Sequence, residues 1–321
     1  MKVLRRTLLL GLAALMLLAG CGRNTQSASR STPRKAAVVL TDALGRTVSL
    51  ARPARRVVSL QPNNTEIMFA LGLGDRLVAV TKYCDYPAQA KEKPNVGDIL
   101  SPSLERILAL EPDLVLVGQG TDMRVIQALE GLHVATFAVH PKTVEGVLAA
   151  ILNIGTLCGA RGEAENVVSA LRSRLEAVTG KTAALPASER PRVLYGYPEV
   201  PVHTASGRTF IGDIIRLAGG TNVAEDDPTE WPTLGLEAIL KANPQAIISG
   251  YSSDYLSREE AERRWEALRG QAVWREIAAV KEGRVYLLNL DVLLRPGPRV
   301  FDGLEEVARC LHPELFGAAK Q

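Results

Sequence analysis

Short apolar, β-branched runs alternate along the chain with segments whose apolar residues recur at helical spacing. Strands are predicted at Arg56–Leu60 (RVVSL), Arg76–Thr81, Leu114–Val117, His133–Val139, Arg192–Tyr195, Ala246–Ile248 and Val285–Leu288. Helices are predicted between them: Glu66–Leu71, the segment opened by Ser103-Leu104-Glu105, Met123–Leu129, Thr209–Leu217, Leu236–Leu240 and Val300–Cys310. Residues 40–50 read as a hairpin turning at Ala-Leu-Gly. Asn63, Asn64 and Thr65 stand where polar side chains cap a helix by accepting from its free N–H groups. Strand–helix alternation of this kind predicts an α/β fold with mostly parallel sheets covered by helices.

Thr143 to about Val178 is one long helical stretch. Val144, Val147, Leu148 and Ile151, then Val167, Val168, Leu171 and Leu175, keep a 3.6-residue period. Unbroken, it would measure about 50 Å at 1.5 Å per residue, enough to bridge two lobes. Gly155, Gly159 and Gly162 are candidate kinks or breaks. On either side of this stretch the pattern echoes itself. Leu104-Glu105-Arg106-Ile107-Leu108 closes at Glu111-Pro112 and feeds an apolar strand; Leu236-Glu237-Ala238-Ile239-Leu240 closes at Asn243-Pro244 and does the same. Two similar α/β halves with mostly parallel sheets, bridged by this helical stretch, are the expected architecture.

The first residues are an address. Lys2, Arg5 and Arg6 precede Thr7–Gly20, an apolar run of 14 residues, too short to span a bilayer, which takes about 20. It ends Leu18-Ala19-Gly20-Cys21, which resembles a bacterial lipobox and implies cleavage before Cys21 and lipid attachment there. The polar segment that follows reads as a flexible tether. The expected organisation is a leader over 1–20, the lipidated Cys21 and tether over 21–38, an N-terminal lobe over 39–142, the interlobe helix over 143–181 and a C-terminal lobe over 182–321. An oxidising compartment permits one bridge among Cys84, Cys158 and Cys310; otherwise they are small buried apolar residues.

Charge narrows the partners. The chain has 38 basic and 35 acidic residues; without the three in the leader the body is near neutral, which argues against nucleic acid. The four histidines, at 133, 140, 203 and 312, form no cluster suited to capturing a metal ion. Gly72-Leu73-Gly74 and Gly118-Gln119-Gly120 do not complete a nucleotide-binding pattern, and no phosphate loop or nucleophile elbow occurs. No enzyme is expected.

Arg56–Glu66 (RVVSLQPNNTE), Gly72–Val80, Tyr83–Pro87 (YCDYP), Asn95–Val117, Thr204–Phe210 (TASGRTF), Leu217–Val223 (LAGGTNV), Trp231–Ile239 and Arg295–Gly303 (RPGPRVFDG) occur in this order. Together they resemble the class III periplasmic binding proteins of ABC importers that carry vitamin B12, haem and iron–siderophores. The resemblance runs from about residue 39 to 312, comes closest to the vitamin B12 binders, and implies two similar lobes with central, mostly parallel sheets joined by a long rigid helix, with the ligand cleft between the lobes. It implies a monomeric, non-enzymatic protein without a cofactor of its own, anchored by lipid at the extracytoplasmic face, with cobalamin or an iron chelate as cargo. Its partners would be the permease and ATPase of the importer. A tethered sensor or enzyme built on the same fold is the alternative of another class.

The same resemblance assigns residues. Glu105 and Glu237, one per lobe, would dock onto arginines of the permease. Tyr83, Tyr86 and Trp231 would offer flat apolar area to a macrocycle; Asp291, Arg295 and Asn63 would supply polar contacts. The loops after Leu60, Thr81, Val117 and Tyr195 are the expected walls. Ile99, Gly118 and Thr204 stand where those binders carry further aromatics, so a thinner cradle is expected. His203, near the expected wall, is the candidate for approaching a metal centre.

Overall fold

The computed structural model describes residues 38–318. The leader, Cys21 and all but the end of the tether lie outside the described residues. No helix among the described residues is long and apolar enough to cross a membrane. The chain opens with an antiparallel hairpin of β1 (Val38–Thr41) and β2 (Thr47–Leu50). The N-terminal lobe follows as β3 (Val57–Ser59), α1 (Pro62–Ala70), β4 (Leu77–Val80), α2 (Leu104–Ala109), β5 (Leu114–Gly118), α3 (Met123–Gly131) and β6 (Thr136–Val139). Two helices, α4 (Val144–Leu157) and α5 (Arg161–Thr182), lead to the second lobe. That lobe begins with β7 (Arg192–Tyr195), β8 (Val202–His203), α6 (Phe210–Leu217), β9 (Thr221–Asn222), β10 (Thr233–Leu234), α7 (Leu236–Ala242) and β11 (Ala246–Tyr251). It ends with α8 (Arg258–Gly270), α9 (Ala278–Lys281), β12 (Val285–Asn289), α10 (Leu290–Leu294), α11 (Val300–Leu311) and α12 (Pro313–Phe316).

Each lobe is built on a four-stranded sheet, β4-β3-β5-β6 and β9-β7-β11-β12, with every pairing parallel. The two orders correspond strand for strand, and α2 and α7 each feed the strand third in that order. Both faces of each sheet are covered, which is why the strands read as unbroken apolar runs. Val57, Leu114 and Leu116 pack on one side of the first sheet, Val58, Val115 and Val117 on the other. One apolar core runs through both lobes, joining Val57, Leu116 and Phe137 to Val193, Ile248 and Phe301 by way of α4 and α5. A small antiparallel pair, β8 with β10, sits beside the second sheet.

The stretch from Thr143 is two helices rather than one. Gly159 adopts φ +67°, the Ala160 N–H donates to Gly155 O at 2.7 Å and the Gly159 N–H to Thr156 O at 3.1 Å. This is a Schellman stop, in which the left-handed glycine closes the helix end. The chain then reverses: Arg172 donates to both carboxylate oxygens of Glu145 at 2.8 and 2.9 Å. A side chain at Gly155 would collide with Ala164, so this glycine permits close packing of the two helices, while Gly162 lies inside α5 without breaking it. The helix passing between lobes is therefore α5 alone, about 33 Å long at 1.5 Å per residue. It starts beside Pro53, under Gly159, and ends where Thr182 Oγ1 donates to Leu217 O at 2.7 Å.

The first helix also starts earlier than its polar residues suggest. Pro62 is its first helical residue, and no side chain caps it; proline's fixed φ and missing N–H suit that position. Asn63 and Asn64 thus sit inside the first turn and are free for other work. Asn64 Nδ2 donates to Val117 O at 3.2 Å, tying α1 to β5.

Candidate ligand-binding cleft

Parallel strands present their carboxyl ends on one edge of a sheet, and ligands gather there. Here the two edges face each other across a cavity of about 430 Å³. From the first lobe, the turn after β3 contributes Gln61, Pro62 and Asn63, the loop after β4 Tyr83, the loop after β5 Gln119 and Gly120, and the end of β6 Val139, His140 and Pro141. From the second lobe, the loop after β7 contributes Tyr197, the loop after β11 Ser252, Asp254 and Tyr255, and the segment after β12 Asp291, Leu294, Arg295 and Pro296. Phe210 and Trp231 complete that wall.

Five of the six residues expected to meet a ligand are brought together: Asn63, Tyr83, Trp231, Asp291 and Arg295. Tyr86 is not among them. It lies exposed beside the cleft, with the Arg299 guanidinium 3.9 Å above its ring, a cation–π contact. The cradle is also fuller than expected. Tyr197, Phe210 and Tyr255 join Tyr83 and Trp231, so five rings line one cavity in a chain with only 5% aromatics. Tyr197 and Tyr255 meet edge to face at 4.7 Å, Phe210 and Trp231 at 6.5 Å. Of the positions read as lacking rings, Ile99 lines the cavity, Thr204 is fully buried and does not line it, and Gly118 has no room, since a Cβ there would reach Gln61 Cγ.

Several hydroxyls fix these rings. Tyr83 donates to Asp98 at 3.1 Å, Tyr255 to Glu199 at 2.9 Å, and Tyr197 shares a 2.9 Å bond with Ser252. Rings held by their polar ends present their faces without the cost of ordering them on binding. His203 does not reach the cavity; its ring bonds Thr233 Oγ1 at 2.9 Å on the outer pair of strands. The histidine in the cleft is His140. Burial, and after it the charge of Lys142, pushes its pKa below the usual value, leaving a neutral imidazole at pH 7.

The polar end of the cavity is organised by Arg295, only 7% exposed, in the Arg-Pro-Gly-Pro-Arg segment between α10 and α11. Its guanidinium hydrogen-bonds Asp85 across the cleft and Ser253 Oγ at 3.1 Å, and lies 3.3 Å from Asp254 and 3.4 Å from Asp291. Asp291 in turn accepts the Ser253 N–H at 2.8 Å. A buried guanidinium is tolerable because carboxylates surround it. Burial raises the Asp85 carboxyl, but the hydrogen bond and charge of Arg295 outweigh it and hold the pKa below the ordinary value. Asp254 goes the other way: burial, then the neighbouring carboxylates, prevail over Arg295.

A second bridge joins the lobes four residues on. Arg299 donates to both oxygens of Glu66 on α1, at 2.9 and 2.6 Å. Glu66 is buried, and burial raises its pKa despite the guanidinium. Lys142 and Glu230 pair at 2.5 Å beside Trp231. Glu105 and Glu237 lie away from the cleft, exposed, each the second residue of its helix. Cys84, Cys158 and Cys310 are buried and unbridged; burial pushes the Cys158 thiol up to about 11 and Cys310 to about 12, so neither is a reactive thiolate. No group of metal-ligating side chains is assembled among the described residues.

A family model described as periplasmic binding protein matches residues 57–291. An ABC transporter substrate-binding lipoprotein of Bacillus subtilis, YvrC, is 32% identical over 313 residues, covering 95% of this chain and 96% of its own length. The crystal structure of the periplasmic vitamin B12 binding protein BtuF of Vibrio cholerae superposes with a TM-score of 0.69 at 30% identity, covering 81% of this chain and 97% of that one. The periplasmic haem-binding protein BhuT in complex with two haems superposes with a TM-score of 0.71 at 26% identity, over 82% of this chain and 100% of that one.

Proposed function

This chain belongs to the periplasmic binding protein family, the non-enzymatic substrate-binding components of ABC importers, and we propose that its cargo is cobalamin. The observation that carries the proposal is the cavity between the lobes, walled by five aromatic rings drawn from both. Flat rings match the face of a macrocycle, and amide and hydroxyl groups (Gln61, Asn63, Gln119, Ser252) can orient its polar rim. The likeness to a vitamin B12 binding protein at 30% identity supports the same reading. The volume lies in the lower half of the roughly 300–1,000 Å³ range of small-molecule sites; a corrinoid would be gripped over part of its face, with its periphery in the open mouth.

The delivery role divides among three regions. Cys21 would carry the lipid that keeps the protein at the extracytoplasmic membrane surface. Asn63, Tyr83, Trp231, Asp291 and Arg295 would hold the cargo in a monomer whose lobes are linked by α5. Glu105 and Glu237 would dock on the permease; their exposure and their matching places at the start of α2 and α7 support this. An iron chelate is the second reading, favoured by the likeness to a haem-binding protein at 26% identity.

The test is retention of a coloured ligand. The chain from Gly22 is mixed with cyanocobalamin, haem or ferric siderophores, desalted, and the visible spectrum of the protein fraction recorded. Red cobalamin at near-equal stoichiometry is expected. Retention of haem or a ferric siderophore instead would transfer the cargo to the iron chelates, and retention of none would overturn both cargo readings.

A further inference from the structure

We propose that the polar end of the cleft is an anion filter, and that Asp254 is the residue through which it selects neutral or cationic cargo. The proposal deepens the corrinoid reading and rests on it. The charged side chains lining the cavity are Asp254, Asp291 and Arg295. Arg295 is nearly inaccessible, and its guanidinium already contacts Asp85, Ser253, Asp254 and Asp291. One guanidinium stands among three carboxylates, so the formal charge of the cluster is minus two. The two lysines nearby are engaged elsewhere, Lys142 with Glu230 and Lys82 with Asp98 at 2.8 Å, and the cleft histidine is neutral.

Asp254 is the carboxylate of the three with the most accessible side chain, 43% against 25% for Asp85 and 12% for Asp291. Its single ion pair among the described residues is the 3.3 Å contact to Arg295. An ionised carboxylate only accepts hydrogen bonds. A cargo whose rim carries amides brings N–H donors to it. A cargo whose rim carries carboxylates or catecholates brings acceptors and negative charge, and both are penalised in a partly desolvated site. Discrimination then comes from repulsion of the wrong ligand as much as from attraction of the right one.

The experiment uses the full chain in detergent and compares cyanocobalamin with derivatives in which one peripheral amide has been hydrolysed to a carboxylate. The readout is the ratio of the two dissociation constants, from titration calorimetry at low salt and at 0.5 M sodium chloride. The charge argument predicts that wild type binds the monocarboxylates about tenfold more weakly at low salt, that salt narrows the ratio, and that Asp254→Asn narrows it to within about threefold. Equal affinities in wild type, or a ratio that neither salt nor Asp254→Asn changes, would overturn the filter. If cyanocobalamin itself does not bind, the corrinoid reading fails separately. The filter is then read with a cationic ferric trihydroxamate and a trianionic ferric tricatecholate. Weaker retention of the trianion, recovered in Asp254→Asn, supports it; equal retention of both by wild type overturns it.

Discussion

Arg295 and Arg299 lie four residues apart, at the two ends of the segment between α10 and α11, and each reaches into the opposite lobe, to Asp85 and Glu66 respectively. Their partners titrate in opposite senses. The Asp85 pKa is depressed in the folded protein, so its stabilisation is complete above the ordinary aspartate value of about 3.9 and is lost as pH falls through the lower, folded value. The Glu66 pKa is raised, so the folded state takes up a proton sooner than the unfolded chain, and acidification toward the ordinary glutamate value of about 4.3 relieves a cost. Thermal melts should therefore show Asp85→Asn less stable than wild type at neutral pH, with the difference shrinking below about pH 3.9. A difference that stays constant from pH 7 to pH 2.5 would deny the Asp85–Arg295 bridge its role. The same residues mark the limit of what the sequence reveals. Arg295 and Asp291 stand out through resemblance, but Asp85 lies 210 residues from Arg295, and nothing local to either predicts that they meet.

At the scale of elements, periodicity serves well where both faces of a strand or one stripe of a helix are buried. The strands through Leu114–Val117 and Ala246–Ile248, and the paired helices at Glu105 and Glu237, are legible for that reason. It serves poorly where conformation is fixed by a single backbone angle. The turn at Gly159 interrupts an apolar period that would otherwise continue, and only the left-handed φ tells a break from a bend. Pro62 as the first helical residue and the edge strand β9, two residues long, are hidden for similar reasons. The cleft aromatics Tyr197 and Tyr255 were hidden because they stand alone on irregular loops, where no period marks them. Gly159→Ala should cost about 1–2 kcal/mol from the left-handed backbone alone, with added strain because its Cβ would come within 2.9 Å of Pro53. A denaturant melt should show that loss while cobalamin affinity stays unchanged. An unaltered midpoint would mean the turn is less constrained than its geometry implies.

For the whole molecule, a single core continuous through both lobes, α5 packed along it and two arginine bridges across the cleft all resist a wide hinge motion. Cargo recognition would then depend on the shape and charge already present in the cleft, and release on the permease. That division predicts separable defects. Glu105→Arg with Glu237→Arg should abolish uptake in a reconstituted importer while leaving cobalamin binding within about twofold, since neither side chain approaches the cavity and exposed charges act mainly on encounter and register. Uptake that survives the double reversal would move the docking surface elsewhere. The most direct test of the account is where cobalt sits. Crystals grown with cyanocobalamin and measured at the cobalt absorption edge should show one anomalous peak between the lobes, enclosed by Tyr83, Tyr197, Phe210, Trp231 and Tyr255. A cobalt peak outside that cavity, or a cavity without one in crystals that retain the dye, would contradict it.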